Sequence, residues 1–198
     1  QGFIFFGAGF DTSTDLLQMT CYELARNSDV QQTLIEEVDE VIENLEGKTI
    51  TYETLHKMKF LDMVISETLR KWPPAAQTDR SCNKDYNLDL DNGQVVTIRK
   101  GQTIFLPTYL IHRDSEYFPN PEKFDPYRFS DENKDSIKSG TYFPFGMGPR
   151  ICIGSRFALM SVKLVLFTIL SNFKIEECEK TPKKMTFQPN MNQKFNEI

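Results

Sequence analysis

The chain has 198 residues, enough for one domain, with 39% hydrophobic and 26% charged residues, a balance that supports a packed core and excludes a wholly disordered chain. Its formal net charge of −5 leaves no basic surplus to neutralise phosphates, so no nucleic-acid partner is expected. Four cysteines (Cys21, Cys82, Cys152 and Cys178) form no CxxC pair, which argues against a zinc site or a thioredoxin-like motif, and their low density at this length argues against a disulfide scaffold and for a reducing compartment.

The opening run GFIFFGAGF is rich in glycine and phenylalanine, has no helix N-cap, and follows no basic leader with a cleavage site. It reads as a helix cut open, and the chain as a piece of a longer protein. No apolar run reaches the about 18 residues needed to cross a bilayer. A helix is expected from about Phe3 to Arg26. A second runs to about Leu45, with Ser28 and Gln31 as a capping box and Val30, Leu34, Val38, Val41 and Ile42 on the inward face. Gly47 ends it. Thr51 is placed to cap a short helix over YETLHKM. The next helix spans about Lys59 to Trp72, with Phe60, Leu61, Val64, Ile65, Thr68 and Leu69 inward, and Pro73-Pro74 stop it.

Strand-like pieces follow. YNLDL and GQVVTIRKG flank an Asp91-Asn92-Gly93 hairpin turn, and QTIFLP is a further strand. Residues 113–140 are rich in Pro, Asp and Asn and read as irregular. RFALMSVKLVLFTILSNF is a long buried helix, and FKIEE and KMTFQ are weak strand signals. The fold class is mainly α with small β-sheets.

Three segments carry chemistry. In FPFGMGPRICIG, Gly146, Gly148 and Gly154 let the backbone turn tightly against a flat partner. Cys152 lies just before a helix, whose free N–H groups and positive dipole end favour thiolate, and Arg150 adds positive charge. In AGFDTST, Ala8 and Gly9 have almost no side chain, so a ligand can press on that helix face; a small-residue patch also serves helix packing, which is the commoner use. Thr12 can donate to the carbonyl four residues back and bend the helix, and Asp11 can take part in proton transfer. In ETLR, Glu67 and Arg70 share a helix face, and Arg128 of FDPYRF can complete a buried cluster; taken singly, surface ion pairing is the simpler reading. His56 reads as exposed, and His112 as a hydrogen-bonding residue rather than a metal ligand.

The order AGFDTS, ETLR, FDPYRF, FGMGPRICIG resembles the signature segments of the cytochrome P-450 haem-thiolate monooxygenases over nearly the whole chain. KWPPA, TDRSCNKDY and IHRDSEYFPNPEKFDPYRF look most like animal microsomal members, especially insect ones; Ser161 departs from the acidic or amide residue of many relatives. The resemblance implies a cytochrome P-450 fold, with residues 1–198 as the C-terminal portion of a single haem-binding domain whose N-terminal part and membrane anchor are absent. It implies haem b (iron protoporphyrin IX) as cofactor, Cys152 as the thiolate on iron with Phe145 beside the sulfur, and Gly146 in the ligand loop. Arg150 and Arg80 would pair with the propionates. Ala8, Gly9, Asp11 and Thr12 would lie on the distal side, the last two handling protons. Glu67, Arg70 and Arg128 would form a buried triad. Phe5, Phe6, Phe10 and residues 74–78 would line the substrate pocket.

The function so implied is insertion of one oxygen atom from O2 into a lipophilic small molecule. Electrons would come from an NADPH-dependent flavoprotein reductase, at the cytosolic face of the endoplasmic reticulum membrane. A haem-thiolate isomerase or peroxide-rearranging enzyme is an alternative, disfavoured by retention of both Asp11 and Thr12; a non-catalytic haem-binding protein is another.

Overall fold

The computed structural model describes residues 2–187 and 195–196. Among the described residues six α-helices and six short strands follow in order: α1 (Gly2–Arg26), α2 (Ser28–Leu45), α3 (Tyr52–Lys57), α4 (Lys59–Lys71), β1 (Thr78–Ser81), β2 (Tyr86–Asp89), β3 (Val95–Ile98), β4 (Thr103–Leu106), α5 (Thr108–Ile111), α6 (Ser155–Leu170), β5 (Thr186–Phe187) and β6 (Phe195–Asn196). Mainly helical architecture with small sheets is what the sequence leads one to expect.

The core lies where α1, α2, α4 and α6 meet. Leu16 and Leu24 of α1, Val30, Leu34 and Val38 of α2, Leu61, Val64, Ile65 and Leu69 of α4, and Val162, Leu166 and Leu170 of α6 form one buried cluster. Their helical spacing gives each helix one apolar stripe, and burying four stripes together removes each from water.

Polar groups inside this bundle fix how its helices meet. Glu37 of α2 accepts the backbone N–H groups of Phe60 (2.8 Å) and Leu61 (2.9 Å), supplying from another helix the cap that Met58 cannot give to α4. Burial raises the Glu37 pKa, and those two N–H groups oppose the rise. Lys163 of α6 is buried, donates to the Leu55 carbonyl (3.1 Å) and pairs with Asp62 (2.6 Å). Trp72, at the C-cap of α4, donates to Glu23 (2.6 Å), which also pairs with Lys71 (2.9 Å).

Among the described residues three antiparallel pairs form: β1 with β4, β2 with β3, and β5 with β6. Thr78 faces Leu106 and Ser81 faces Thr103; Tyr86 faces Ile98 and Asp89 faces Val95. The turn between β2 and β3 holds Gly93 at φ +79, closed by Gly93 N–H to the Leu90 carbonyl. Both faces of these two pairs are largely exposed.

Several expectations are corrected. Ser28 is not a cap: Asn27 takes that position without a side-chain bond to α2, and Gln31 turns inward instead. There it donates to the carbonyls of Leu24 (3.0 Å) and Ile175 (2.8 Å) and accepts from Ile175 N–H (2.8 Å). That same contact holds residues 173–177 as irregular chain, not a strand. Ile42 is exposed. α6 is buried on one side only, with Phe157, Leu164 and Val165 exposed. β1 and α5 have no clear local signal: TDRS neither alternates nor is apolar, and pairs only because β4 is there to receive it. Gln188 of the KMTFQ signal lies outside the described residues. No helix among the described residues is long and apolar enough to cross a membrane.

Candidate active site

The loop 143–154 is closed on itself by backbone bonds. Gly146 N–H reaches the Phe143 carbonyl (2.9 Å), Ile151 N–H the Gly148 carbonyl (3.1 Å), and Cys152 N–H the Phe145 carbonyl (2.8 Å). Gly146 (φ +77) and Gly148 (φ +73) occupy backbone conformations that L side chains rarely adopt, so glycine is required at both. Cys152 leaves this loop exposed and without a disulfide partner, three residues before α6 begins at Ser155. Around it stand exposed apolar side chains: Met147, Ile151, Ile153 (86% accessible) and Phe157 (75%). Apolar side chains exposed to this degree mark a surface built to be covered. The ring of Phe145 packs against the helical core. Arg150 is exposed in the 3-10 turn Gly148–Arg150.

On α1, which packs against both α4 and α6, the Thr12 hydroxyl donates to the Ala8 carbonyl at 2.7 Å. The helix stays unbroken through that point. Asp11 and Thr12 are exposed, and Ala8 beside them is exposed too. A Cβ built on Gly9 would meet nothing within 4 Å, so no described neighbour demands a glycine there, and helix packing does not account for it. Phe5, Phe6 and Phe10 are exposed on the same helix, Phe6 and Phe10 with stacked rings 6.0 Å apart. Asp15, one turn beyond Asp11, has its pKa raised by partial burial and then by the Asp11 charge. The sequence reading overlooked it; its i,i+4 spacing from Asp11 was the available signal.

Glu67, Arg70 and Arg128 come together. Glu67 and Arg70 are fully buried and joined by two bonds, Nε to Oε2 (2.7 Å) and Nη2 to Oε1 (2.8 Å). Arg128 Nε lies 3.4 Å from Glu67 Oε1, while its Nη2 donates to the Asn120 carbonyl (2.9 Å). Glu67 also accepts Asp125 N–H (2.9 Å), and Arg70 donates to the carbonyls of Pro121 and His112 (both 2.8 Å). One ion pair thus fastens α4 to irregular chain about 50 residues downstream.

His112, read from the sequence as a hydrogen-bonding residue, is fully buried, and its Nε2 accepts the backbone N–H of Phe143 at 3.0 Å. Burial, and then the Arg70 charge, lower its pKa to about 4. His56 is exposed and stacks on Tyr52. Arg80 sits on β1, exposed, donating to the Asp79 carbonyl. Neither Arg80 nor Arg150 forms an ion pair among the described residues.

A cleft of about 290 Å3 lies against the loop, lined by Leu69, Phe143, Phe145, Gly146, Ile151 and Leu159. A wider one of about 650 Å3, near the C-terminal end of α1 between Arg26, Trp72 and Arg113, touches none of the chemistry-bearing residues above.

Comparison with known proteins adds a family. The family model described as "Cytochrome P450" matches residues 1–195. A Drosophila melanogaster protein called "Probable cytochrome P450 9f2" is 55% identical over 181 residues, 91% of this chain and 35% of its own length. "Cytochrome P450 9e2" of Blattella germanica is 52% identical over 92% of the chain and 34% of its length. "Cytochrome P450 3A29" of Sus scrofa is 45% identical over 95% of the chain and 36% of its length. The chain therefore spans about a third of the length of these relatives.

Proposed function

This chain belongs to the cytochrome P450 family, and from that premise we propose that it forms part of a haem-thiolate monooxygenase, which inserts one oxygen atom of O2 into a lipophilic small molecule. The cofactor in this reading is haem b, with Cys152 as its ligand. The observation that carries it is the exposed thiol of Cys152, presented by a glycine-turned loop inside an apolar rim. The fit is chemical as well as spatial. Among the described residues no three His, Cys, Asp or Glu side chains converge, and a single thiolate suits a metal that brings its other ligands with it, as porphyrin iron does. The apolar side chains beside the thiol suit the faces of a flat macrocycle.

When bound, haem supplies oxygen activation, which thiolate donation to its iron favours. The chain's own residues bind, orient and move protons. The bond from Cys152 N–H to the Phe145 carbonyl sets where the sulfur points, and Phe145 would pack beside it. Arg150 and Arg80, both exposed and extended from short local elements, would donate to propionate carboxylates. Ala8 and Gly9 leave the α1 surface low enough for close approach. The Thr12 hydroxyl holds its proton on the Ala8 carbonyl and can re-aim it, and Asp11 would take up protons from solvent. Glu67, Arg70 and Arg128 hold the irregular segment that leads to the ligand loop. Electrons would come from an NADPH-dependent flavoprotein reductase, and the complete protein would sit on the cytosolic face of the endoplasmic reticulum membrane through its N-terminal anchor, as the family implies.

The test is the carbon-monoxide difference spectrum of the reduced complete protein. The strongly red-shifted Soret band of a thiolate ligand is expected in the wild type and absent in Cys152→Ala; its survival in Cys152→Ala overturns the assignment. Thr12→Ala is expected to raise uncoupled peroxide release, and unchanged coupling removes Thr12 from the proton path.

A further inference from the structure

We propose that His112 is a positioning residue for the thiolate: its unprotonated Nε2 holds the backbone N–H of Phe143 and thereby sets the loop that presents Cys152. The inference rests on the reading of Cys152 as ligand, and names a residue which that reading does not use.

The geometry is a relay of fixed points. The His112 carbonyl accepts Arg70 Nη1 (2.8 Å), so the residue is fastened to the buried Glu67–Arg70 pair. Its ring is clamped by the stacked ring of Tyr142 at 5.3 Å and by the edges of Phe118 and Phe143 at 6.2 and 5.3 Å. Tyr142 is itself tied to the Ser66 carbonyl of α4 (3.1 Å). The ring cannot move without moving these neighbours, and from this position Nε2 meets Phe143 N–H at 3.0 Å. Beyond Phe143 the loop is closed by its own bonds: Gly146 N–H to the Phe143 carbonyl, then Cys152 N–H to the Phe145 carbonyl. Those bonds set the loop's shape; the bond to His112, with the Tyr142 tie to Ser66, sets its place against α4.

Phe143 N–H bonds His112 Nε2 and no backbone carbonyl among the described residues. Phe143 is buried, so an unmade bond there leaves a donor without water, and the loop must shift or admit solvent. An imidazole meets the need only when its Nε2 is bare, with the remaining proton on Nδ1. The surroundings keep the ring singly protonated, although Nδ1 meets no hydrogen-bond partner among the described residues. Burial and the neighbouring guanidinium of Arg70 both disfavour a second proton, and only the carbonyls of Leu69 and Arg70 pull the other way.

The experiment compares His112→Gln and His112→Leu in the complete protein. Glutamine offers a carbonyl oxygen near the place of Nε2; leucine keeps apolar volume and offers nothing. Two readouts are taken: the fraction of bound haem showing the thiolate band in the carbon-monoxide spectrum, and hydrogen exchange of the peptide covering residues 141–146. His112→Leu is expected to lose more than half of the thiolate band per haem and to exchange that peptide about tenfold faster, the factor that corresponds to loss of one hydrogen bond. His112→Gln is expected to restore most of both. Equal behaviour of leucine variant and wild type overturns the inference while leaving Cys152 as ligand. Absence of the thiolate band in the wild type overturns the reading of Cys152 instead. Should His112→Leu not fold, the wild type decides: Phe143 N–H must exchange with the slow core amides of α4, and exchange as fast as the exposed β2–β3 hairpin refutes the proposal.

Discussion

Replacing Glu67 by glutamine probes the buried ion pair directly. The carboxylate accepts both Arg70 Nε (2.7 Å) and Nη2 (2.8 Å), accepts Asp125 N–H (2.9 Å), and stands 3.4 Å from Arg128 Nε. Glutamine keeps one oxygen and can still serve Asp125. It sets an NH2 group against the donors of Arg70, and it leaves a fully buried guanidinium without its counter-charge. Breaking a buried pair in this way costs about 3–5 kcal/mol. Set against a total stability of about 5–15 kcal/mol, that loss removes at least about a fifth of the margin. Arg128 contributes less, because its contact is too long for a normal hydrogen bond and its side chain is 13% accessible. Arg128→Gln is accordingly expected to cost less, about 1 kcal/mol, because Arg70 still neutralises Glu67. The assay is equilibrium urea unfolding of the complete protein by far-UV circular dichroism, with linear extrapolation to water. A Glu67→Gln loss below about 1 kcal/mol, or an Arg128→Gln loss equal to it, would refute the view that the Glu67–Arg70 bond pair carries the cluster.

His112 makes stability depend on pH with a definite sign. Its folded pKa of about 4 lies below its ordinary value of 6.5, so between those pH values the unfolded chain binds the extra proton. The contribution is complete above pH 6.5 and fades as pH falls to about 4, amounting to about 3 kcal/mol by linkage; a urea midpoint that His112→Gln leaves with the same slope in this window would contradict it. Gly146→Ala and Gly148→Ala are each expected to cost about 1–2 kcal/mol, because both need positive φ while the new Cβ meets nothing closer than 3.8 Å; thermal melts check this, and a neutral result at either would mean the loop relaxes. Gln31→Ala removes three hydrogen bonds to Leu24 and Ile175, with an expected cost of about 2–3 kcal/mol and faster exchange at residues 173–177; unchanged exchange there would deny it that anchoring role.

How much of this the sequence foretells depends on the range of each interaction. Helices α1 to α4, α6 and the β2–β3 hairpin follow from local rules: apolar spacing, Thr51 as a cap bonded to Thr54 N–H, and Gly93 in the turn. The loop 143–154 is equally legible, because two of its glycines are forced by their own backbone angles. What local rules miss lies across long separations. Gln31 gives up a capping role to bond Ile175, 144 positions away; Glu37 caps α4 from 23 positions upstream; His112 meets Phe143 after 31. β1 has no pattern of its own and exists through its register with β4. The Glu67–Arg70 spacing suggests a pair, yet only the packed structure decides between an exposed contact and a fully buried one.

The ammonium of Lys163 acts as a register pin. It sits within a helix whose neighbouring positions are nearly all apolar, and oil against oil slides easily. Moving α6 by one turn, about 5.4 Å, would strand that charge away from both the Leu55 carbonyl and Asp62. The helix can therefore dock at a single height, and the sulfur eleven residues earlier in the chain inherits that height.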